Sequence, residues 1–349
     1  MSRIQVRNDT LMLGDVAVRF MRTLRIPDDG RTYPLPPGLG TFPVRRVDDY
    51  LDQVPEDWQE HGGVFLPMYQ REAMWLAFSC SVPHALKVGV GKVCALTGER
   101  WTRALVKKPQ NYLVVPTQPW LDGISVGGGR IRQFVAMPLG MGYTVEGQVT
   151  GEERFGGIQL EAIAPKAGRF PPVDTTKRCM EQGAPAGMAM GAPPPPACAP
   201  MPAACAPMPA QERKRKSGAM GLGAGGRMKQ KIYPDPHGID SWDTEDRSRV
   251  YVHIVNSELW REITGEQPPN TPVTAREYEK HGYPWFDLYD ETAGTLAGTE
   301  TLKGVKSIKD IDADKSNVPL QDDGSVEPAT VKKLWYKALG AFGVRDGDW

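Results

Sequence analysis

The sequence predicts a mainly β N-terminal domain, sandwich or barrel, joined by a disordered Pro/Ala/Met-rich linker to a smaller α+β C-terminal domain. Three observations carry that expectation. Up to Pro165 the chain runs in short apolar-alternating segments punctuated by glycine. From 183 to 210 it contains only Gly, Ala, Pro, Met and Cys. Beyond Lys229 helix-capping signals appear among further strand-like runs. The expected boundaries are 1–170, 171–228 and 229–349, and a length of 349 residues suits two domains.

The first domain opens on strand-like runs around Ile4 and Val6, Leu11 and Leu13, and Val16, Val18 and Phe20. Residues 27–46 are turn-rich, with Pro34, Pro36, Pro37 and Gly38 at their centre. A short helix is expected over Val47 to Trp58, and a helical turn running into a strand over Met68 to Phe78. Leu86, Val88 and Val90 mark a further strand with Gly89 and Gly91 inside or beside it. The run Gly127-Gly128-Gly129 frees the backbone for a tight hairpin whose return strand begins at Arg130. Tyr143 to Val145 and Gln148 to Thr150 read as strands, and Ile158 to Ile163 as another.

The tract 183–210 carries the heptapeptide ACAPMPA twice, at 197–203 and 204–210. Rich in proline and free of aromatics, it cannot bury enough apolar surface to offset the entropy of ordering it. The glycine run Gly221 to Gly226 matches GxGxxG by letter but lacks the strand before and the helix after that a dinucleotide site needs.

In the last third, Val250 to Val255 is a strand with Tyr251, His253 and Val255 on one face. Asn256 or Ser257 can cap a helix over Glu258 to Thr264, with Gly265 at its end. Thr274 and Glu277 form a capping box for a second helix. Trp285 to Tyr289 reads as a strand, 292–324 as polar loops, and Pro328 to Leu339 as an amphipathic helix.

The formal charge of zero hides an asymmetry. Residues 232–349 hold 13 Lys and Arg against 22 Asp and Glu, leaving 29 against 20 in residues 1–231. Opposite fields of this kind favour contact between protein surfaces. The first ten residues hold no apolar signal core, and no run of eighteen apolar residues occurs. A cytoplasmic chain without membrane insertion is therefore expected. Five cysteines without a CxxC pair give no disulfide framework and no zinc site, and no cofactor is expected.

Candidate site residues are scattered. Arg130 and Arg132 follow the glycine hairpin, and Arg213, Lys214, Arg215 and Lys216 form a basic run; both suit an anionic partner, nucleic acid among them. Cys198, Met201, Cys205 and Met208 are soft donors for a thiophilic metal. His253, His281, Asp287, Asp290 and Glu291 would make an acid/base or metal cluster if the fold gathered them. Gly89-Val90-Gly91-Lys92-Val93 falls short of a phosphate loop, because Val93 stands where Ser or Thr is needed. Asp310, Asp312 and Asp314 resemble a calcium loop but lack its glycine and its closing glutamate. A His84–Cys94 nucleophile pair has nothing in the sequence to orient it. The expected function is non-catalytic: a binding or scaffold protein whose partner is another protein or a second copy. The alternative is a hydrolase-type enzyme with an acidic or metal site in the last third.

Overall fold

A computed structural model of the chain describes residues 4–171, 218–287, 294–315 and 325–333. Among them, β-structure dominates. The strands in chain order are β1 (Ile4–Arg7), β2 (Thr10–Leu13), β3 (Val16–Thr23), β4 (Thr32–Tyr33), β5 (Gly38–Thr41), β6 (Arg45–Arg46), β7 (Val64–Met68) and β8 (Ala73–Ser79). They continue with β9 (His84–Val90), β10 (Val93–Cys94), β11 (Leu113–Val115), β12 (Trp120–Leu121), β13 (Gly123–Gly127), β14 (Arg130–Pro138), β15 (Ile158–Pro165), β16 (Ala219–Lys229) and β17 (Trp242–Asn256).

These strands form one largely antiparallel sheet. One run pairs β1–β2–β3–β8, and β8 meets β14, which also takes β13 and β16. The other pairs β11–β9–β15–β17, with β7 parallel to β17 and β6 beyond it. The runs join where Ala219 and Met220 of β16 pair with Val255 and Ile254 of β17. Alternation then places Val18, Phe20, Leu76 and Leu222 of one run in a single apolar core with Leu86, Val88, Leu160, Val250 and Val252 of the other.

The sheet does not respect the expected boundaries. Residues 218–228, assigned from sequence to a disordered linker, are mostly the strand β16, which pairs with β14 from Met220↔Pro138 to Lys229↔Arg130. The glycines there serve close packing. A Cβ on Gly221 would stand 2.7 Å from Thr144 Cγ2, and one on Gly223 2.9 Å from the Tyr143 carbonyl oxygen. The strand β17, assigned to a second body, likewise pairs with β15 and β7 from the first. The repeat at 197–210 lies outside the described residues.

The helices are α1 (Glu56–His61), α2 (Val145–Thr150), α3 (Ser257–Thr264), α4 (Ala275–Lys280), α5 (Glu300–Lys303) and α6 (Ile308–Asp314). The expected helix over Val47 to Trp58 is instead a 3-10 turn at Val47–Asp49 followed by α1, because Pro55 serves as N-cap of the later helix. Met68 ends β7, so the expected helical turn there is strand and loop. Two other expectations change type. Residues 145–150 are helical because the Thr144 hydroxyl accepts from the Gly147 amide and Gly151 closes the helix at φ 79°. Residues 308–314 are helical because Ser307 and Asp310 form a capping box, so Asp310, Asp312 and Asp314 ride on a helix and not in a cation loop. Val331–Lys333, expected within a helix, pairs in parallel with Trp285–Asp287, and the Trp285 amide donates to the Thr330 carbonyl at 2.8 Å. Residues 334–349 lie outside the described set. The caps on α3 and α4 form as expected: Asn256 before α3, Gly265 after it, and the Thr274–Glu277 box before α4. Among the described residues no helix is long and apolar enough to cross a membrane.

Candidate functional site

On the face of β9, β15 and β17 away from the core lies a groove of about 770 Å³. Its walls come from β1, β6, α1, the start of β7, the β9–β10 turn, β15 and β17. Four of its side chains are cationic, Arg7, Arg46, Lys92 and Arg249, and one is acidic, Asp48.

Strand periodicity puts the groove there. In β17, Val250 and Val252 point into the core, so Arg249 and Tyr251 point out of it. Tyr251 pairs across β15 with Gln159, and Arg249 with Glu161. The Gln159 side chain is buried and donates to the Gly91 carbonyl at 3.1 Å, fixing the groove floor to the β9–β10 turn.

That turn aims Lys92. Val90 and Val93 pair across it, and Gly91 stands at φ 55°, a left-handed conformation that favours glycine. A Cβ on Gly91 would collide with the Glu146 carboxylate. Glu146, the buried second residue of α2, accepts from the Lys92 amide and the Gly156 amide, both at 2.9 Å. Burial pushes its carboxyl above the usual range, and these amides pull it part of the way back. The letters that suggested a phosphate loop thus encode a hairpin whose Lys92 amide is taken by a protein carboxylate and whose Gly91 amide donates to the Gly157 carbonyl at 3.0 Å. The side chain of Lys92 is left to the groove, with its ammonium 4.5 Å from the centre of the Phe155 ring. Burial, then the positive charge of Arg249, lowers the pKa of Lys92. Among the described residues neither Lys92 nor Arg249 has an ion-pair partner. The repulsion of Arg249 outweighs the attraction of Glu146 at Lys92, a balance that an anion bound in the groove would shift in favour of the charged lysine.

The other basic side chains are differently placed. Arg46 is paired with Asp48 at 3.0 Å and Asp49 at 3.6 Å. Arg7 donates from Nε to Gln5 Oε1 at 3.0 Å, and His61 Nδ1 donates to the Asp57 carbonyl. Tyr251 gives its hydroxyl proton to the Gly156 carbonyl; burial, then the Glu146 charge, keeps it a neutral phenol well above the ordinary tyrosine range.

The residues singled out from sequence are placed elsewhere. The hairpin at Gly127–Gly129 forms, with all three glycines at positive φ. Arg130 is exposed, but Arg132 is buried with a guanidinium nitrogen 3.8 Å from Asp28, so the pair presents no anion cradle. His253 is buried, stacked on Trp58 at 4.4 Å, and its Nε2 donates to the Gly62 carbonyl. Burial lowers its pKa to about 4. His281 caps the end of α4 against Tyr283, and Asp287 pairs with Lys229 at 3.3 Å. These three stand in separate surroundings. Asp290, Glu291, Arg213, Lys214, Arg215, Lys216, Cys198, Met201, Cys205 and Met208 lie outside the described residues. Among the described residues no three His, Cys, Asp or Glu side chains gather closely enough to hold a metal ion. His84 begins β9 and pairs with Val115, whereas Cys94 pairs with Gly89 farther along the strand.

Sequence reasoning did not assemble Arg7, Arg46, Lys92 and Arg249, which come from four elements far apart in the chain. The usable signal was the alternation Arg249-x-Tyr251-x-His253, which marks a polar face on a strand whose other face is core. No family model matches this chain, and neither a curated protein nor a solved structure matches it.

Proposed function

We propose that this is a non-catalytic binding protein, built on a sandwich-type β scaffold, whose basic groove takes an acidic segment of another protein or of a second copy. The observation that supports the reading is that Lys92 and Arg249 face one groove with no salt bridge among the described residues, while the carboxylate in its lining, Asp48, is already engaged by Arg46. The half-buried Ile4 and Val6 of β1 give such a segment carbon to pack against. Peptide fits this lining better than nucleic acid, because among the described residues the wall offers just the rings of Tyr251 and His61, and the Tyr251 hydroxyl is fixed to the backbone. The acid excess of residues 232–349 makes a second copy a chemically suitable partner.

The test is fluorescence anisotropy of the full chain with a labelled hepta-glutamate peptide at low and physiological salt. Binding should weaken as salt rises, and Arg249→Glu should weaken it by about tenfold, or ~1.4 kcal/mol. A peptide that does not bind at low salt, or binds the Arg249→Glu protein equally, removes the proposal. Preference for oligonucleotide over peptide would move the reading to nucleic acid.

A further inference from the structure

The basic groove runs beside an open strand edge. Along one edge of β17, β15 pairs from Trp242 to Val252. Along the other, β7 joins only at Val252. Among the described residues no strand pairs with that second edge at Arg249, Val250 or Tyr251, and all three line the groove.

Two glycines fix the direction of the backbone groups there. A Cβ on Gly157, just ahead of β15, would collide with the Val252 carbonyl oxygen, so that oxygen faces β15. A Cβ on Gly63, just ahead of β7, would collide with the Tyr251 carbonyl oxygen, so that one faces the β7 side. The N–H and C=O of one strand residue point the same way, and successive residues alternate. The N–H and C=O of Arg249 and the N–H of Tyr251 therefore face the β7 side, where no strand meets them. Among the described residues they make no backbone bond outside the strand ladders.

The ladder stops there because the chain turns. Gly62 and Gly63 stand at φ 61° and 97°, which carries the backbone from α1 into β7, and Val64 is the first residue to pair. Across the groove from this edge lies β1, all four of whose residues line it. Its half-buried Val6 packs against the main core. The exposed Arg249 side chain projects away from that core, towards the charge of Lys92.

We infer that this edge takes an extended segment of a partner protein as an added strand, in line with β7. The segment carries acids at every second position and apolar residues between them. Such pairing rests on the groove being a peptide site and sets how the peptide lies in it. Main-chain bonds to Arg249 and Tyr251 hold the segment. Alternation then selects its side chains: those on the outer face meet Arg249 and Lys92, and those on the inner face turn towards Val6.

The test is fluorescence anisotropy of the full chain at low salt with labelled peptides. One is a hexapeptide alternating glutamate and valine. The second is its block isomer, three glutamates followed by three valines. The third is the alternating hexapeptide N-methylated at every residue, which keeps each side chain and removes the amide donors. Hepta-glutamate controls for the groove itself. The alternating hexapeptide should bind, and N-methylation should weaken it by about tenfold or more. The block isomer should also bind more weakly. Equal binding of the methylated or the block form, or binding of hepta-glutamate without the alternating hexapeptide, would overturn the added strand and leave the groove a site for acids. Failure of every peptide to bind would remove the peptide site and the added strand together.

Discussion

The guanidinium of Arg71 holds both carboxylate oxygens of Asp312, each at 2.8 Å, and so fastens α6 to the turn between β7 and β8. The Tyr143 hydroxyl donates to the same carboxylate at 2.6 Å, and Asp312 is fully buried. Arg71 pays for this position with a backbone at φ 67°, unusual for a side chain of its size.

Removing the Asp312 carboxylate takes away two bonds to the partly buried Arg71 guanidinium and one to the Tyr143 hydroxyl, so Asp312→Ala should destabilise the protein by about 2 kcal/mol. Chemical denaturation followed by tryptophan fluorescence measures it. Burial alone would raise the Asp312 pKa, but the bonds from Arg71 and Tyr143 outweigh burial and hold it below the usual carboxylate range. A depressed carboxylate stabilises the fold above its unfolded pKa and loses that contribution as pH falls through its folded value. The cost of Asp312→Ala should therefore shrink under strong acid.

Two buried groups should tilt stability in opposite directions between about pH 4 and pH 7. Burial raises Asp122 to about 7 and lowers His253 to about 4. In that window the unfolded chain releases the Asp122 proton that the folded chain keeps, so this group costs stability as pH rises. The folded chain leaves His253 neutral while the unfolded one takes up a proton below roughly 6.5, so this group adds stability as pH rises. Asp122→Asn, which mimics the neutral acid, should gain on the wild type as pH climbs from 4 to 7. His253→Phe should lose the rise between 4 and 6.5. Denaturation midpoints across that range check both signs.

Gly226 in β16 is buried, and a Cβ there would press into the Pro27 carbonyl. A backbone atom cannot rotate away, so Gly226→Ala should cost about 1–3 kcal/mol. If the glycine run were a flexible connector, the same change would be neutral. Thermal melts of the two proteins distinguish these outcomes.

What the sequence made legible was whatever depends on near neighbours. The Thr274–Glu277 box, the Asn256 cap, the Gly127–Gly129 hairpin and the alternation in β17 are each written within a few residues, and each forms. What it hid depends on distant partners. Residues 145–150 look like strand until Glu146 is seen bonding the amides of Lys92 and Gly156. Gly221 to Gly226 looks like linker until Tyr143, Thr144 and Pro27 are seen pressed against it. The groove was hidden for the same reason: Arg7, Arg46, Lys92 and Arg249 converge only after β17 has paired with β15 and β7. Lys92 was noticed, but for a loop it does not make.

The central claim is that this groove is where an acidic segment binds. Amide hydrogen exchange of the full chain, with and without saturating hepta-glutamate peptide at low salt, tests it most directly. Slower exchange is predicted at residues 4–7, 61–64, 91–92 and 249–251, reversed by physiological salt. Unchanged exchange at these positions, or protection confined to other strands, would contradict it.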